Sequence, residues 1–197
     1  MIESFGGKTP EIDESAFVHP SANVRGDVEI GELSIVWPGA SITGDMGTVR
    51  IGRCAIIEDN AILHAGRCED WKRNERSLLE IGENVTIGHG AVVHARKIGN
   101  RVMIGMNSTI LEDVQISDNC IIAAGAVVPE RMKVPPETIV AGVPAEIKGK
   151  LKEEHSVWVR EAREQDDSYY IEYIRKFREA TRETSGLSSS VNSGDEK

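Results

Sequence analysis

The sequence predicts an all-β solenoid of six-residue repeats with a C-terminal α-helix, and three observations carry that reading. Aliphatic residues stand at every sixth position from Ile12 through Val18, Val24, Ile30, Val36 and Ile42, and again at Ile51, Ile57 and Leu63. A small or branched residue lies four places after most of these anchors, as at Ala22, Val28, Ala40, Ala55, Ala61, Val85, Ala91 and Cys120. Gly directly follows the anchor at Gly31, Gly52, Gly82, Gly88, Gly99 and Gly105, with Asn or Asp crowding the stretches between. A helix would repeat at about 3.6 residues and strand alternation at about two, so a period of six demands a short strand followed by a corner.

Three such units make one triangular coil, and roughly 18 residues advance the chain by one strand spacing, about 4.8 Å. The register resumes at Ile81, Ile87 and Val93, loses one residue before Ile98, and continues through Ile104, Ile110, Ile116, Ile122 and Val128 to about Val140. This gives about six or seven coils. The glycines and the Asn and Asp residues of the turns are expected to supply positive φ at the tight corners. Two stretches break the period, a three-residue insertion at Gly47 to Val49 and the charged run CEDWKRNERSLLE from Cys68 to Glu80, and both are expected as loops extruded from a corner. The period itself fixes no hand.

Residues 1–148 therefore form the solenoid, 149–184 a helical segment and 185–197 a disordered tail. From Leu151 to about Glu183 the apolar residues Leu151, His155, Trp158, Val159, Ala162, Ile171, Ile174 and Phe177 recur at helical spacing, which predicts a helix packed on the solenoid's flank. The end, TSGLSSSVNSGDEK, is Ser-rich and polar.

The chain has 23 Lys plus Arg against 32 Asp plus Glu, a formal charge of −9, which argues against nucleic acid and anionic membranes as partners. No run of about 18 apolar residues occurs, and the start lacks a basic and then apolar leader, so a cytoplasmic protein is the expectation. Cys54, Cys68 and Cys120 show no metal-type spacing and are read as reduced, Cys120 as a small inward residue.

Register turns three of the five histidines into a candidate metal site. Leu63 and Val93 are 30 residues apart; if about 12 belong to the charged insertion, one coil remains, so His64 and His94 stack about 4.8 Å apart. Two imidazoles at that separation can share a zinc ion, which needs further ligands. His89, two residues after Ile87, stands near another edge. A threefold trimer would bring His89 of a neighbour against His64 and His94, leaving a coordination position open, as in catalytic zinc sites. A lone histidine at a solvated corner calls for no such role; three in register do. His19 and His155 lack such partners. The same arithmetic places Thr43 beneath His64 with Asp45 on that face, and Glu58 and Asp59 one coil below His89. Asp45 and Asp59 also suit ordinary corners.

The segments ITGDMGTVRIGRCAIIEDNAILH, VTIGHGAVVH and KIGNRVMIGMNSTIL resemble the γ-class carbonic anhydrases and their relatives, a likeness covering about residues 10–148. The resemblance implies a left-handed parallel β-helix of hexapeptide repeats. It also implies a homotrimer with zinc, or Fe(II) where oxygen is excluded, on His64, His89 and His94 at each interface. The implied reaction is reversible hydration of CO2 to bicarbonate by metal-bound hydroxide, with Asp45, Glu58 and Asp59 as the catalytic carboxylates. Two positions depart from the family pattern. Thr43 replaces the arginine of an Arg-Gly-Asp motif, which removes a cation from the place where the anionic product forms. Glu58 replaces a glutamine; ionised it could act as a base, protonated it could mimic the amide. Arg25-Gly26-Asp27 resembles the motif one coil lower and is read as a structural corner. Where some relatives carry a glutamate proton shuttle, this chain has Arg67, with Glu69 or Asp70 as substitutes.

The resemblance leaves other activities open on the same scaffold. They are a metal-dependent acyl-CoA thioesterase, a CoA-dependent acyltransferase suggested by Gly142 to Ala145, and a non-catalytic assembly module. The substrate is accordingly a small molecule, CO2/bicarbonate or an acyl thioester. A triple-histidine register argues against the acyltransferases, which usually need one catalytic histidine and no metal.

Overall fold

The computed structural model describes residues 1–65, 77–155 and 167–191, without the side chains of 183–191. The six-residue period folds as expected into a parallel solenoid of three faces. On the first face Ile42, Leu63, Val93, Ile110 and Val128 stack in register; on the second Val18, Val36, Ile57, Ile87, Ile104, Ile122 and Val140 do so. The third stacks Ile12, Ile30, Ile51, Ile81, Ile98, Ile116 and Val134, hence about seven coils. These anchors fill one continuous core together with the small inward residues. Full burial of each such aliphatic side chain contributes on the order of 1.5–3 kcal/mol.

What each face shows outward follows from the residue before the anchor, because side chains alternate along a strand. The third face carries Glu29, Arg50, Glu80, Lys97, Gln115 and Lys133, a charged ladder in which Arg50 Nε lies 2.8 Å from Glu29 and Lys97 Nζ 3.1 Å from Glu80. The second face carries Phe17, Ile35, Ile56, Thr86 and Met103. The first carries Ser41, Ile62, Val92, Thr109 and Val127, with Ile62 44% exposed. Both ends of the stack are closed by the chain itself. Ile2–Glu3 pairs with Val24–Arg25 at the bottom, and the antiparallel pair Thr138–Gly142 and Ala145–Lys150 closes the top.

Four sequence expectations are corrected. The glycines after the anchors do not lie at positive φ; that conformation falls to Asn60, Asn84, Asn107, Asn119 and other residues, and to glycines such as Gly39 and Gly90. Gly105 is needed for closeness instead, since a Cβ there would stand 2.3 Å from the backbone nitrogen of Ala124 in the next coil. The insertion at Gly47 to Val49 is not a loop: it lies inside the strand Ser41–Ile51 and pairs with Ser77–Ile81. The charged run accordingly ends in a strand, Ser77–Ile81, whose backbone bonds are met by the first insertion; 66–76 lie outside the described residues. The missing residue before Ile98 is absorbed at one corner, where the Arg96 and Lys97 amides both donate to Val114 O.

The fourth correction concerns the helix. Leu151 is not helical, Glu153–His155 form one 3-10 turn, and the C-terminal helix spans Asp167–Val191, beyond the expected end near Glu183. Trp158, Val159 and Ala162 lie outside the described residues. Extending a formed helix adds one hydrogen bond per residue fixed, so even a Ser-rich run can continue it. Tyr170, Tyr173, Ile174 and Phe177, one helical stripe, pack on Phe17, Ile35, Cys54 and Trp37 of the second face, whereas Ile171 turns outward at 55% exposure.

Replacing Gly105 with Ala should destabilise the protein by about 1–3 kcal/mol in urea unfolding, because the clash is with backbone rather than a movable side chain. Asp27 gives a second measurable consequence. Burial pulls its carboxyl upward, but hydrogen bonds from Arg50 and Thr48 and the charges of Arg50 and Lys8 outweigh it and leave it below the ordinary carboxylate value. Its contribution is therefore complete above the unfolded value of about 3.9 and lost as pH falls through the lower folded value. Arg50 is 41% exposed, so Asp27→Asn should cost only about 0.2–1 kcal/mol at pH 7 and cost less as the acid is approached. A loss undiminished at low pH would contradict this account.

Candidate metal centre

Two edges of the solenoid carry the histidines singled out by register. His64 follows Leu63 and His94 follows Val93, so both stand where the first face turns into the third, and their rings meet edge to face with centroids 5.1 Å apart. Thr43 lies directly beneath His64. Asp45 Oδ1 is 3.0 Å from His64 Nε2, and the Met46 amide donates to the same oxygen at 2.7 Å, which fixes the carboxylate. Burial pulls the Asp45 carboxyl upward; hydrogen bonds from His64 and Met46 and the charges of His64 and Arg25 overcome it and hold the group below its ordinary value. For His94, burial first and the charge of His64 second disfavour the imidazolium, with Glu112 opposing. Its Nδ1 is buried without a hydrogen-bond partner among the described residues, Glu112 Oε1 being 3.8 Å away.

His89 stands on the other edge of the same first face, where the second face turns into it. Ile57 pairs with Ile87, which brings Glu58 and Asp59 beneath it as the register requires. The His89 amide donates to Glu58 Oε2 at 2.9 Å, while Nε2 lies 3.3 Å from that oxygen and Nδ1 3.0 Å from Asp59 Oδ2. Trp37 packs its ring against His89 edge to face, with centroids 5.7 Å apart. Among the described residues of one chain, no three His, Cys, Asp or Glu side chains converge on a metal position.

Register stacks His64 on Thr43 and His94 on His64, and sets Glu58 and Asp59 beneath His89; it did not single out Glu112 or Trp37 as neighbours, nor the part Arg25 plays one coil lower. Arg25 sits one strand spacing below Thr43, and its guanidinium lies 4.2 Å from the centre of the Phe5 ring. Arg25-Gly26-Asp27 thus does serve as a structural corner through Asp27, yet its arginine lends positive charge to Asp45. Trp37 was also overlooked, although Val36, Ile57 and Ile87 are successive anchors of one stack and would have placed it beneath Glu58. His19 bonds Ser21 at the foot of the edge that carries His89, and His155 accepts from the Lys152 amide beyond the solenoid's last strand. Cys54 and Cys120 are buried free thiols that burial pushes up. Arg67, Cys68, Glu69 and Asp70 lie outside the described residues.

The residues present suit a metal: two imidazoles in contact, a buried ring nitrogen with no partner, and carboxylates set to orient the rings. Coil geometry and edge histidines together define a hexapeptide-repeat protein of the left-handed parallel β-helix class. The structure is similar to that of a hexapeptide transferase family protein from Anaplasma phagocytophilum, with TM-score 0.76 and 26% identity over 89% of this chain and 96% of that one. A carbonic anhydrase of Geobacillus kaustophilus is 36% identical over 154 residues, 78% of this chain and 80% of the relative. Gamma carbonic anhydrase 1, mitochondrial, of Arabidopsis thaliana is 36% identical over 155 residues. The chain covers 56% of that relative and 55% of its paralogue gamma carbonic anhydrase 2. A family model described as Dynactin subunit 5 matches residues 18–177. The chain belongs to this family of γ-carbonic-anhydrase-like hexapeptide-repeat proteins. No helix among the described residues is long and apolar enough to cross a membrane.

Proposed function

We propose that the chain is the subunit of a homotrimeric, zinc-dependent carbonic anhydrase-type enzyme that hydrates CO2 reversibly to bicarbonate. One observation carries the reading: both histidine-bearing edges flank the same face, and that face presents Ile62, Val92, Thr109 and Val127, while among the described residues the C-terminal helix packs on the second face instead. Threefold packing along such a face buries an apolar stripe and sets His89 of one subunit against His64 and His94 of the next. These three would hold the metal. Zinc, when bound, supplies the Lewis acidity that makes water a nucleophile near neutral pH.

The chain's own groups do the positioning. Asp45 orients His64 through Nε2, and Asp59 orients His89 through Nδ1, which fixes ring angle and tautomer. Glu58 holds the His89 backbone and keeps a carboxylate beside the ring. Arg25, a coil below the place where Thr43 lacks a cation, provides part of the positive charge that an anionic product requires. The relatives named carbonic anhydrase support this reading over group transfer, which the structural neighbour's name would favour, and over thioester cleavage. A non-catalytic assembly role draws support from the description of the matching family model. Zinc bound without turnover would favour that role; thioesterase activity without CO2 hydration would favour the hydrolase.

Subunit mixing tests the shared site. His64→Ala and His89→Ala should each lose zinc when pure, whereas co-refolded mixtures should regain it at a fraction of interfaces. Full occupancy in a monomer, or in both pure variants, would overturn the proposal. The two departures at Thr43 and Glu58 predict slow hydration in the natural protein. A charge-assisted hydrogen bond is worth about 1.5–3 kcal/mol, so Thr43→Arg with Glu58→Gln should raise CO2 hydration by about ten- to a hundredfold. Stopped-flow hydration that is already fast, or unchanged in the double variant at equal zinc content, would refute the assignment.

A further inference from the structure

We propose that Trp37 is a positioning residue through which the C-terminal helix holds His89 at the angle that zinc requires. The inference rests on the metal reading above and adds the helix to the site. Trp37 follows the anchor Val36, so its backbone belongs to the second face, and its amide donates to Ile57 O at 2.8 Å. Its indole meets the His89 ring across the coil of Glu58, 5.7 Å between centroids at 65°. From the other side the helix grips it: Tyr173 stacks on it at 6.2 Å and Phe177 lies against it at 5.5 Å. Phe177 in turn stacks on Phe17 at 5.3 Å, which ties that turn of the helix to the bottom of the solenoid.

His89 therefore has three constraints. Asp59 and Glu58 fix it through hydrogen bonds and charge, and Trp37 packs against one side of its ring, which stays 40% exposed. The indole N–H is buried and has no hydrogen-bond partner among the described residues. A donor left so costs about 1–3 kcal/mol, so what keeps the ring in place is packing against helix and histidine rather than a polar bond. A rigid indole is suited to that task because it presents a large face with two rotatable bonds. His89 is also the ligand that has to be presented to another subunit, so an error in its ring angle is not corrected by His64 or His94 of the same chain.

Zinc affinity of the purified full-length protein, measured by chelator competition, tests this without reference to turnover. Trp37→Leu should weaken binding by about tenfold or more, the scale of losing an outer partner of a ligand, while Trp37→Phe should stay close to the natural protein. Phe177→Ala should weaken zinc binding too, but should add little in the Trp37→Leu background, since the helix acts through that ring. In the cobalt-substituted protein Trp37→Leu should shift the visible absorption bands, which report ligand geometry; a merely structural tryptophan would lower thermal stability and leave them unmoved. If the natural protein takes up no zinc, the metal reading itself fails. If it binds zinc and Trp37→Leu binds it equally, the metal reading stands and the coupling is wrong. Should Trp37→Leu not fold, Phe177→Ala carries the test alone: zinc affinity unchanged in that variant would overturn the proposal.

Discussion

The vertical spacing between coils governs this molecule. Parallel strands hydrogen-bond at about 4.8 Å, and every corner must stack on the one below it at that same distance. Such closeness explains why Gly105 cannot carry a Cβ, why aliphatic anchors form unbroken columns, and why two imidazoles one coil apart come into contact. A site made from stacked residues inherits the precision of the ladder beneath it. His64, Thr43 and Arg25 occupy one column, as do Gly88, Glu58 and Trp37, and neither column can slip without breaking the core.

The three faces divide the work. The third is a ladder of alternating charge that resists edge-on association and keeps its strands apart from other chains. The second is covered along its lower part by the C-terminal helix, whose aromatic stripe reaches the edge where His89 stands. The first is largely apolar on its outer side and bounded on either side by a histidine edge. Helix packing follows from this division, since it uses a surface on the prism that the histidine edges do not occupy.

Insertions show how a rigid period tolerates change. The extra residues at Gly47 to Val49 would leave backbone groups without partners at a buried edge, and the end of the charged run supplies them through Ser77–Ile81. Two irregularities one coil apart thus become a local extension of the sheet. The Arg50–Asp27 contact and the Thr48 hydroxyl close the same corner from outside, so the segment that precedes His64 in space is held on both sides.

Much of this was written in the sequence because a six-residue period leaves little freedom. Once Leu63 and Val93 are recognised as one coil apart, the contact of His64 with His94 follows, and so does the placement of Glu58 and Asp59 beneath His89. The hand of the coil came only from likeness, since periodicity is the same in either hand. Side-chain reach lies outside arithmetic: the anchors set the column of Trp37, but only three-dimensional packing decided that its indole meets His89, Tyr173 and Phe177. Likewise the helix could be expected from its spacing, whereas its limits and its choice of Tyr170 over Ile171 depended on the surface against which it packs. Sequence determined the columns because register is a property of the backbone ladder; tertiary structure decided which long side chains bridge them, because that depends on the free volume between faces.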